Sequence, residues 1–91
     1  MARNRRKTPQ AEAFGRHLGE NLVKCRRRVG LSQAATAERA GLHRTEIGFI
    51  EGGKRVPRLD TIVKLAGAVE VDPCVLLEGM AWKLGPKGGS K

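Results

Sequence analysis

The apolar positions divide the chain into five helical stretches. From about Gln10 or Ala11 to Arg28, Phe14, Leu18, Leu22, Cys25 and Val29 recur three or four residues apart, forming one stripe of a helix that Gly30 closes. Ser32 is suited to cap a second helix over Gln33 to Ala40, and Gly41 ends it where a left-handed residue is wanted. A third runs from Arg44 to Glu51, opened by His43 or the adjacent backbone, with Ile47 and Ile50 on one face and Gly52 and Gly53 as its stop. The fourth, about Leu59 to Val69, offers a wide apolar face of Leu59, Ile62, Val63, Leu65, Ala66 and Val69. It begins after Arg58, where a Ser or Asp cap would be expected. Asp72 as N-cap and Pro73 at the first helical position start the fifth, which carries Val75, Leu76, Leu77 and Met80. The pattern predicts an all-α bundle around one core. Residues 1–10 read as a disordered basic arm, 11–82 as the folded domain and 83–91 as a flexible tail.

Charge changes the picture. Eighteen Lys and Arg against nine Asp and Glu give a net +9 over 91 residues, a balance that favours polyanions, with nucleic acid ahead of an anionic membrane surface. Four of the cations, Arg3, Arg5, Arg6 and Lys7, sit in the N-terminal arm, which reads equally as a solvated tail or as a segment touching DNA. No apolar run reaches about 18 residues and the N-terminus lacks a hydrophobic signal core, so a soluble, cytoplasmic protein is expected. Cys25 and Cys74 lie in helical patterns without metal-ligand spacing and read as buried thiols. His17 and His43 stand too far from other ligand types to suggest a metal or a catalytic pair. A phosphate-binding Gly loop ending in Lys-Ser/Thr and a plausible Ser/His/Asp set are both missing, so no enzyme, cofactor, metal or small-molecule substrate is expected.

Ser32 to Pro57 carries the candidate chemistry. Two short helices joined by a turn containing Gly41 have the form of a helix-turn-helix, whose second helix enters the major groove of DNA. Side chains near the start of that helix face the bases: Arg44 and Thr45 first, Glu46 beside them and Phe49 one turn on. Arg44 suits guanine O6 and N7, Thr45 offers hydroxyl or methyl, Glu46 can accept from cytosine N4 and Phe49 can contact a thymine methyl. Gly48 keeps the helix surface low between them.

Over roughly Leu18 to Leu77 the chain also resembles the phage-repressor and Cro-like, or Xre-type, helix-turn-helix domains. The shared marks are Arg26, Gly30-Leu31-Ser32-Gln33, Ala37, Gly41, Ile47, Ile50-Glu51-Gly52-Gly53-Lys54, Pro57, Leu59, Val71-Asp72 and Leu76-Leu77. The resemblance implies a five-helix, lambda-repressor-like bundle in which Arg44, Thr45 and Phe49 read bases. It places Gln33, the amide of Gly53, Lys54 and Arg55 on phosphates, with Arg58 added beside them. It makes Arg26 and Glu51 a structural salt bridge. Thr36 and Ala40 depart from the family's large aliphatics, and Phe14 or Trp82 is expected to fill the space they leave. The function implied is sequence-specific binding of double-stranded DNA by a small regulator, a repressor that occupies its operator as a homodimer. An antitoxin-like autoregulator docking a partner protein, or an interaction module that does not read DNA, stands as the alternative.

Overall fold

A computed structural model of the chain describes residues 8–85. The helices are α1 (Pro9–Arg28), α2 (Gln33–Ala40), α3 (Arg44–Glu51), α4 (Leu59–Ala68) and α5 (Pro73–Leu76). No strand occurs among the described residues. The architecture is the all-α bundle that the apolar pattern implies, with the five helices that the resemblance to repressor-like domains leads one to expect. The arm's basic cluster and residues 86–91 of the tail lie outside the described residues.

Local chemistry explains the helix boundaries. Thr8 caps α1, its hydroxyl accepting the Ala11 amide at 3.1 Å, and Pro9 takes the first turn, where its missing N–H costs nothing. Pro9 and Gln10 are therefore helical and do not belong to an unstructured arm. Ser32 caps α2 by accepting the Ala35 amide at 3.0 Å. At the other end Gly41 adopts φ 72°, allowing Leu42 N–H to reach Ala37 O at 2.8 Å and Gly41 N–H to reach Glu38 O at 3.2 Å. The same closing pattern ends α4, but with Glu70 in the left-handed position at φ 64°. Asp72 stands at the N-cap of α5 without a side-chain capping bond; its carbonyl instead accepts from Val75.

The core draws on every helix: Leu18, Leu22 and Cys25 from α1, Ala37 and Ala40 from α2, Ile47 and Ile50 from α3, Leu65, Ala66 and Ala68 from α4, and Leu76 from α5, with Val69 just beyond α4. The face of α4 is narrower than its sequence suggests. Leu59 is 72% exposed and Val63, one turn on, is 49% exposed, so this stripe points away from the bundle. Cys74 is exposed too, correcting its reading as a buried thiol. It precedes the fully buried Leu76 by two residues, a rotation of about 200° around a helix.

Neither Phe14 nor Trp82 belongs to the buried core that α2 joins. Phe14 and Trp82 pack on each other, ring centroids 6.3 Å apart, and Trp82 remains 57% exposed. Helix α2 instead packs its small residues against α3 and α4. Thr36 is fully buried there, its hydroxyl donating to Ser32 O at 2.8 Å, which satisfies the polar group that takes the place of an aliphatic side chain. Long-range polar ties complete the frame. Gln10 and the Lys83 backbone exchange two hydrogen bonds, at 3.0 and 2.8 Å, and Asn21 donates to the carbonyls of Leu76 and Glu78, both at 2.9 Å.

Candidate nucleic-acid interface

Helix α3 is fixed from its C-terminal end. Glu51 receives Arg26 Nε at 2.5 Å and Nη2 at 3.1 Å, a two-pronged pair, and Gln33 Nε2 at 2.8 Å. The remaining guanidinium nitrogen of Arg26 donates to Leu31 O at 3.0 Å. Both charged side chains are nearly out of water, at 12% and 7% exposure. The hydrogen bond to Glu51 and its negative charge raise the Arg26 pKa against the opposing effect of burial. One carboxylate thus joins α1, the start of α2 and the end of α3. The amide of Gln33 spends one of its two N–H donors on this cluster.

Glycines let α1 lie directly against that same end. A β-carbon on Gly19 would fall 2.5 Å from Glu51 O and 2.6 Å from Ile50 O, and one on Gly15 would fall 3.1 Å from Gly53 O. Four residues apart on α1, the two form a seat for the backbone of α3 and its exit turn. Neither glycine stands out in the sequence. Only the pairing of small residues at that spacing hints at the seat, and nothing local names what sits in it.

Gly53 closes the exit turn. At φ 75°, it donates its amide to Ile50 O at 3.1 Å, while Lys54 N–H donates to Phe49 O at 2.9 Å. Those bonds satisfy the last carbonyls of α3. The Gly53 amide is therefore engaged within the protein and is no free donor for a phosphate.

The opposite surface of α3 is open. With Ile47 and Ile50 buried, Arg44, Thr45 and Phe49 are exposed and Glu46 is half-buried. Gly48 lies among them, four residues after Arg44 and three after Thr45, and a β-carbon there would meet nothing within 4 Å. Arg55 folds back from the loop so that its guanidinium carbon lies 5.1 Å from the Phe49 ring centroid. Lys54 is exposed beside it. Arg58 is engaged by Asp60, with Nη2 2.9 Å from Oδ2, and this hydrogen bond, with the Arg58 charge, holds the exposed Asp60 carboxyl below its ordinary pKa. Among the described residues, no group of three or more His, Cys, Asp or Glu is placed to hold a metal. None of the described helices is long and apolar enough to cross a membrane.

This arrangement agrees with what the chain is similar to. Residues 17–78 match the family described as "Helix-turn-helix domain". The SPbeta prophage-derived uncharacterized HTH-type transcriptional regulator YonR of Bacillus subtilis (strain 168) is 41% identical over 62 residues, 68% of this chain and 57% of that protein. Control protein C.SmaI of Serratia marcescens is 42% identical over 60 residues, covering 66% of this chain and 71% of that one. The crystal structure of the restriction-modification controller protein C.AhdI from Aeromonas hydrophila superposes with a TM-score of 0.68 at 38% identity, over 70% of this chain and 97% of that one. The present chain therefore spans little more than half the length of the prophage regulator.

Proposed function

The chain belongs to the helix-turn-helix domain family of phage-repressor and Cro type, and from that premise we propose that it binds double-stranded DNA sequence-specifically, with α3 in the major groove. The observation that carries this reading is the outward surface of α3: Arg44, Thr45 and Phe49 are exposed around Gly48 on a helix whose other side is fully engaged. Arg44 takes guanine O6 and N7, Thr45 and Phe49 meet a thymine methyl or a base edge, and half-buried Glu46 is the marginal member of the set. Lys54 and Arg58 flank the helix for phosphates, Arg58 after release from Asp60, and the surplus of positive charge strengthens the encounter.

The relatives support a regulatory role: two of them are named as control proteins, one of them a controller of restriction-modification. The further reading proposed for this chain is a small regulator that occupies an operator as a homodimer. Two-fold symmetry then sets half-sites about 34–36 Å apart. Selection of bound fragments from a randomised duplex pool at about 150 mM salt, where nonspecific affinity is weak, tests the reading. A two-fold motif with that spacing is expected. A folded protein that retains no preferred sequence overturns it and makes a protein partner the leading explanation for the exposed surface.

A further inference from the structure

Arg55 lies beyond α3, yet its guanidinium carbon sits 5.1 Å from the centroid of the Phe49 ring. Phe49 is 42% exposed, so the stacked pair is at the surface and not a core contact. Among the described residues no carboxylate pairs with Arg55, in contrast to Arg39, held by Glu70, and Arg58, held by Asp60. A guanidinium stacks through its flat face, while its five N–H bonds point outward in its own plane. Contact with the Phe49 ring therefore ties the guanidinium to α3 without consuming its donors. A planar fork matches a phosphate and equally the paired O6 and N7 acceptors of guanine; contact with Phe49, which is exposed on the helix assigned to the groove, favours the guanine.

We propose that Arg55 and Phe49 form one base-reading unit: the ring contacts a thymine methyl, and the stacked guanidinium takes O6 and N7 of a guanine next to that thymine. The proposal rests on α3 being the groove helix, as assigned above. The guanidinium carbon and the ring centroid lie 5.1 Å apart, close enough for the two groups to address neighbouring base pairs. Arg55 is thereby a specificity residue and not a phosphate anchor.

The test uses the duplex that the wild-type protein selects, with each guanine replaced in turn by 7-deazaguanine, which removes N7 and leaves pairing and phosphates intact. Each thymine is likewise replaced by uracil, which removes the methyl group. Affinities are measured at fixed salt for wild type, Arg55→Met, which keeps an apolar stem and removes every donor, and Phe49→Leu, with folding checked by thermal melting. At one guanine the deaza substitution should weaken wild-type binding roughly tenfold, within the range a bidentate pair commands. That penalty should vanish in Arg55→Met and shrink in Phe49→Leu, and uracil at the adjacent thymine should weaken wild type several-fold. If wild type selects a site but every deaza penalty persists in Arg55→Met, Arg55 reads no guanine and the proposal fails alone. If wild type selects no site, the groove assignment fails and takes the proposal with it.

Discussion

Arg44 and Glu51 stand at opposite ends of one eight-residue helix and meet opposite surroundings. Glu51 holds two other side chains, lies nearly out of water, and has the backbone of α1 seated against its carbonyl through Gly19. Arg44 forms no ion pair within the described residues, and Gly48, one turn later, has no neighbouring atom where a side chain would begin. The first end is over-determined by its own protein. The second contributes nothing to the core, and a mid-helix glycine there even costs helical stability, about 0.5–1 kcal/mol relative to Ala. Rigid support on one side and an unengaged surface on the other describe a helix held in place for something outside the chain.

Substitutions can break that contrast. The largest effect is expected from Glu51→Ala, which strands the nearly buried Arg26 and frees Gln33: a loss of about 3–5 kcal/mol in denaturant unfolding. Next comes Gly19→Ala, whose methyl would overlap the carbonyls of Ile50 and Glu51. It should cost about 1–3 kcal/mol or more, because α1 must move off α3. On the open side the sign reverses. Gly48→Ala should raise stability by about 0.5–1 kcal/mol, a rise in melting temperature of roughly 2–8 °C, while weakening DNA binding by lifting the helix off the groove floor. The smallest effect belongs to Asp60→Asn, which releases Arg58. Binding should tighten slightly at fixed salt, because Arg58 no longer has to leave Asp60 to reach a phosphate.

The same contrast explains what the sequence disclosed. The bounds of α2 and α3 were legible because caps are local chemistry: Ser32 reaches only to Ala35, and Gly41 acts on its own turn. Thr8 and Pro9 carry a start signal of the same kind, with Thr8 reaching only to Ala11. What stayed hidden depends on distant partners. Asn21 bonds to residues 55 and 57 positions away, Gln10 to one 73 away, and Arg39 to Ala68 O across 29. No periodicity encodes such ties. The seat at Gly15 and Gly19 was invisible for the same reason, since a helix glycine looks equally destabilising whether its open side faces a neighbouring backbone or solvent. The phosphate roles expected for Gln33 and the Gly53 amide came from the resemblance, and here both groups donate inward, to Glu51 and Ile50.

The central claim is that the outward end of α3 reads DNA while its inward end only holds it there. The most direct measurement repeats the selection from a randomised duplex pool with Arg44→Ala beside wild type, together with a thermal melt of each protein. The account predicts that both melt alike and that the variant loses preference at one base pair in each half-site, at a cost of about 1–3 kcal/mol. An unchanged motif in the folded variant would contradict it.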